Sequence, residues 1–148
     1  MRTRERLLRT AVERLVDERG FRPIRTLKDR GGTHCYVMKN GGEQFYVVAK
    51  KEAWNGTTAS ILQKTARRAK SFESPIICYF HNDGEFRVFD GDYVVTEGVE
   101  KVAKSKTHVT AWFEVPLNVG VPLHAYLTGA DRPRRIDRSR DTTLSSFE

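Results

Sequence analysis

The chain has 148 residues, enough for one domain with a buried core and a short tail, and few for a second domain. Twenty-six Lys and Arg against nineteen Asp and Glu give a formal charge of +7, which favours a polyanionic partner, nucleic acid first, because each neutralised phosphate releases condensed counterions. There is no long apolar stretch and no leader pattern, and Cys35 and Cys78 sit inside apolar runs. These features predict a reduced, cytoplasmic protein that associates with nucleic acid and not with membrane.

Taken in chain order, residues 3–19 place Leu7, Leu8, Ala11, Val12, Leu15 and Val16 at helical spacing and end before Gly20. The polar flank of this helix carries Arg2, Arg4, Arg6, Arg9 and Arg14. Residues 21–27 read as a first strand, with Pro23 pointing to a strand start or an edge, and Gly31-Gly32 permits a tight bend. Residues 33–51 form two β-rich runs joined at Asn40-Gly41-Gly42, a hairpin signal. A break at 55–58 is then expected to cap a helix running to about Ser71, with Ile61, Leu62, Thr65, Ala66 and Ala69 on its apolar face.

Residues 75–80 are a nearly continuous apolar strand of the kind buried on both faces, and Asn82-Asp83-Gly84 turns it into a second strand over 85–89. Residues 90–106 show only weak alternation, a further strand is expected over 107–115, and Gly120-Val121-Pro122 opens a short helix over 123–127. The expected fold is α/β, a central mixed β-sheet flanked by helices. Residues 130–148 are arginine-rich and nearly devoid of apolar side chains, so the domain is drawn over 1–129 with a basic polar tail after it. A tail of this kind is expected to be disordered unless a partner chain or nucleic acid, as in a larger complex, holds it in place.

The order of helix, strand, hairpin, helix and strand is that of the PD-(D/E)XK nuclease core. The chain resembles the archaeal Holliday junction resolvase family (Hjc) within that group. The resemblance rests on Arg19-Gly20-Phe21 closing the first helix, Arg25 on the next strand, Phe45–Lys50 on the hairpin, Ala66–Phe72, the paired strands 76–80 and 85–89, and Gly120–Leu127. It implies a restriction-endonuclease-like fold and a homodimer that meets two arms of a junction. Phe72, Trp112, Phe113, Leu117 and Val119 add apolar surface that one sheet face does not obviously need.

The resemblance also implies a metal site, and here the chain departs from the family. The helical glutamate falls at Arg9, the hairpin aspartate near Thr33 or His34, and the Glu-x-Lys at Val48-Ala49-Lys50. No Asp or Glu stands two positions before any lysine. A hydrolytic Mg²⁺ site needs carboxylate oxygens, so no catalytic residue, metal ligand or cofactor is assigned. The positions Arg9, Thr33, Val48 and Lys50 are degenerate.

His34, His81, His108 and His124 have no metal-ligand spacing with the cysteines. The leading expectation is a non-catalytic nucleic-acid-binding protein, DNA more than RNA, with a face made of Arg9, Arg25, Lys28, Arg30, Lys50, Lys51, Arg67 and Arg68. Trp54 is a candidate for base stacking. The alternatives are an active endonuclease using Mg²⁺ on relocated acids, Asp29 and Glu52, and a structural subunit of a nucleoprotein assembly.

Overall fold

The computed structural model describes residues 3–50 and 56–137. Lys51, Glu52 and Trp54, and the tail from 138 onward, lie outside the described residues.

Helix α1 (Thr3–Arg19) is followed by β1 (Arg22–Asp29), β2 (Gly32–Asn40) and β3 (Glu43–Lys50). Then come β4 (Thr58–Leu62), α2 (Gln63–Ser71), β5 (Ile76–Phe80), β6 (Glu85–Phe89), α3 (Gly91–Glu97), β7 (Val99–Lys104) and β8 (Val109–Pro116). A single 3-10 turn over 117–119, the two-residue β9 (Val121–Pro122) and α4 (Leu123–Leu127) close the fold.

Six strands form a mixed sheet in the order β1-β2-β3-β5-β6-β9. β3 and β5 are parallel, and β4 and α2 make the crossover between them; the other neighbours are antiparallel. Alternation along β3 decides what each face meets. Phe45, Val47 and Ala49 join Leu8, Ala11 and Leu15 of α1, together with Leu123 of α4, in one core. Tyr46 and Val48 join Ala66 and Ala69 of α2, Val94 of α3 and Phe113 of β8 in the other. This period of two puts both faces of β3 out of water, and β5 is buried along its whole length as its apolar run predicts. β1 is an edge strand, exposed over its first five residues, with register shifts after Pro23 and after Leu27. The hairpins at 41–42 and 82–84 and helix α4 stand where the sequence puts them.

Three features correct the sequence reading. The helix expected from about 57 begins only at Gln63, because residues 58–62 are a strand. Ala59 and Ile61 point into the core between half-buried Thr58, Ser60 and Leu62, a period of two that pairing with β8 enforces. Residues 90–106, read as weakly patterned, hold α3 and β7. Asp90 caps α3 by accepting from the Tyr93 N–H at 3.0 Å.

Finally, the sheet is not alone. β4, β8 and β7 form a second, antiparallel three-stranded sheet, and it uses most of the apolar surplus of the second half. Phe113 is 1% exposed and Val119 3%, Leu117 packs on the same core, and Trp112 is half-buried. Phe72 alone of the five is exposed, at 56%.

The chain after Gly129 is docked as far as it is described. The Arg134 N–H donates to the Val119 carbonyl at 2.8 Å, and Pro133 is buried. The body therefore continues past 129.

Candidate nucleic-acid interface

The β1–β2 turn, the first turn of α1, the start of α2 and the last residue of β3 converge at one corner of the large sheet. Asp29 organises it. Its Oδ1 accepts from the Gly31 N–H at 2.7 Å and from the Arg4 guanidinium at 3.2 Å, and its Oδ2 accepts from Lys64 Nζ at 2.8 Å. Arg4 also reaches the Gly32 carbonyl at 3.5 Å.

Close approach explains the two glycines. A Cβ on Gly31 would stand 2.8 Å from the Arg4 guanidinium, and one on Gly32, whose φ is +97°, would occupy the place of the Glu5 carboxylate. Burial works to raise the Asp29 pKa, but the hydrogen bonds from Lys64, Gly31 and Arg4 outweigh it and hold the carboxyl well below its usual range.

His34 is 6% exposed, and its Nδ1 has no hydrogen-bond partner among the described residues. Burial, then the Lys64 charge, press its pKa below the ordinary value, so the ring is held neutral. Lys50 is only partly exposed. Burial of its amino group lowers its pKa; the nearby Cys78 works against this and the Arg4 charge with it.

Val48, 6% exposed, is part of the core between the sheet and α2. The strand thus turns a valine side chain into the core at the position where the resemblance expects an acid, and Thr33 at the start of β2 is half-buried. Among the described residues, no group of three His, Cys, Asp or Glu could hold a metal ion. Glu43 is far from this corner along β3, where it accepts from the Tyr126 hydroxyl at 2.5 Å.

The cations named from sequence divide into sets. Lys28 and Arg30 flank Asp29 on β1 and the turn, and both are exposed. Arg25 is exposed on the same edge strand, opposite Val37. Arg68 follows Lys64 by one helical turn on α2, and its charge is felt at the Cys35 thiol on β2, which places it over the same edge. Arg67 turns the other way, 3.6 Å from Glu100 and with its guanidinium 5.4 Å from the Phe113 ring centre. Arg9 is exposed on α1, which packs on the opposite sheet face from α2. The guanidinium at the corner is that of Arg4, five residues earlier, and sequence reasoning missed it together with Glu5 and Lys64.

Cys35 and Cys78 are buried free thiols, each pushed up to about 12 by burial. That makes them poor nucleophiles. A cleft of about 490 Å³ lies at the far end of α2, lined by Lys70, Glu73, Asp90, Asp92 and Arg135 among others. Its charges are mixed, and Lys70 is already 3.6 Å from Asp92. No described helix is long and apolar enough to cross a membrane.

The comparisons with known proteins are negative: no family model, no curated protein and no solved structure matches this chain.

Proposed function

We propose that this chain is a non-catalytic nucleic-acid-binding protein, a degenerate relative of the Holliday junction resolvases in which a restriction-endonuclease-like sheet serves as a binding surface. The observation that carries this reading is the corner at Asp29. The Asp29 carboxylate is engaged by two cations, and the position that the resemblance gives to an acid is Val48, sealed in the core.

Around that corner stand exposed Arg25, Lys28, Arg30 and Arg68, on an edge strand and a helix that diverge from it. Cations so spread suit a polyphosphate backbone better than a compact anion. Contacts of this kind position a duplex without reading its bases, so DNA of little sequence preference is the proposed ligand, with RNA second. Lys50 and Arg4 supply charge from inside the corner.

The test is to incubate labelled four-way junctions and duplex DNA with the protein in Mg²⁺ or Mn²⁺. Binding without strand cleavage is the expected result. Cleavage would establish the rival reading, an endonuclease with relocated acids.

A further inference from the structure

β7 borders the three-stranded sheet, paired with β8 on one side and with no strand among the described residues on the other. All six of its residues are exposed, Val99 at 57% and Val102 at 55%. An open edge is a row of unpaired N–H and C=O groups, and monomeric proteins blunt such edges with lysines and other charges, prolines or bulges; the charges of β7, Glu100, Lys101 and Lys104, are of both signs. β7 has no proline, and its pairing with β8 runs from Val99↔Glu114 to Lys104↔Val109 without a register shift.

We propose that β7 pairs antiparallel with β7 of a second copy of this chain, about a two-fold axis at Val102. A two-fold axis normal to a sheet returns each face to its own side, so it can pair only residues of like parity along the strand. Two such registers overlap five of the six residues: one centred on Lys101, over 99–103, and one centred on Val102, over 100–104.

The first sets Lys101 against its own copy. The second sets Val102 against its own copy and Glu100 against Lys104, twice, on the same face. Lys101 then faces Ala103 on the other face. Within the chain Val102 already opposes Ala111, so the joined sheet carries an apolar row of Ala111, Val102, Val102 and Ala111 across four strands. Opposite charges and apolar pairs placed directly across strands are what stabilise a register.

Glu100 has Arg67 at 3.6 Å, and a carboxylate can serve two cations, as Asp29 does. The surface is separate from the Asp29 corner, and the inference does not depend on nucleic-acid binding.

Sedimentation velocity of the full chain up to high micromolar concentration tests it. The wild type is expected to sediment at twice the 17.0 kDa chain mass. Glu100→Lys and Lys104→Glu should each weaken the dimer by at least about tenfold, since each replaces two attractions with two repulsions, and the double variant should recover it.

Both side chains are exposed, and unchanged far-UV circular dichroism confirms folding. A second readout fixes the register: Val102→Cys should form a covalent dimer on mild oxidation faster than Lys101→Cys, with Cys35 and Cys78 too buried to compete. The proposal is overturned if the wild type stays monomeric, if the single variants dimerise like the wild type, if the double variant does not recover, or if Lys101→Cys links as fast as Val102→Cys.

Discussion

Asp29 and Lys64 are 35 positions apart in the chain, yet the Lys64 ammonium donates to Asp29 Oδ2 at 2.8 Å while Arg4 holds the other oxygen. This clamp joins the first turn of α1 to the start of α2 across the end of the sheet. Asp29→Asn keeps the shape and releases both cations from their counter-charge. Each pair is partly exposed, with side-chain exposures of 37% and 23% for Arg4 and Asp29, and 52% for Lys64, so the stability loss should be about 1 kcal/mol or less per pair. Affinity for duplex DNA at low salt should rise. A fall in affinity, measured by fluorescence anisotropy, would mean that Asp29 itself helps to hold the ligand.

Affinity should decline steeply with salt. Phosphate contacts contribute a log–log slope of about −0.9 each on duplex DNA, so several of Arg25, Lys28, Arg30, Lys50 and Arg68 acting together give at least about −3. Arg68→Ala should reduce the slope by nearly one contact. Arg67→Ala should change it less, because that guanidinium is taken up by Glu100 and the Phe113 ring. A salt titration of the two variants checks both.

His34 makes stability depend on pH. Its folded pKa lies below the ordinary value of 6.5, so the unfolded chain binds the proton first. Stability is therefore full above about 6.5 and declines as pH falls below it towards the folded pKa. Asp29 has a depressed pKa as well, from the ordinary 3.8, and adds its own loss at lower pH, in the acid range. Thermal unfolding should show a falling midpoint from pH 7 to pH 5, and His34→Gln should flatten that segment while leaving the more acidic one. A midpoint that is level through this range would show that the ring is not held neutral.

Phe113→Ala should cost about 3–5 kcal/mol, the range for truncating a buried aromatic, because the ring is 1% exposed between the two sheets. The loss belongs to each chain's own core, so denaturant midpoints should fall at every protein concentration. A loss that appears only at concentrations where the chain self-associates would instead place Phe113 at an interface.

The elements that were legible in the sequence are those whose pattern is local. α1 declares itself by Leu7, Leu8, Ala11, Val12 and Leu15, and β5 by an apolar run with no polar break. The hairpins are set by Gly41 and Gly84, both with φ of +65°. In the sequence β4 reads as the start of a helix because Ala59, Ile61 and Leu62 satisfy a helix nearly as well as a strand over so short a window. Pairing with β8, some fifty residues on, decides for the strand. The candidate site was only half legible for a related reason. Arg25, Lys28, Arg30 and Arg68 are exposed side chains on its elements, whereas Arg9 and Arg67 are equally basic residues on other surfaces.

By itself the sequence determined the charge, the alternation that buries both faces of β3, and the lack of any acid two positions before a lysine. Each follows from residue identity and short spacing, and no refolding of the chain alters it. Only the tertiary structure decided that Arg4 and not Arg9 reaches the corner, that Asp29 is engaged by two cations, that His34 is buried neutral, and that β7 is left as an open edge. These depend on which segments, distant along the chain, are brought within a few ångströms. Core packing of α1 and α2 on opposite sheet faces sets that, and long flexible side chains such as Arg and Lys record nothing of it in their spacing.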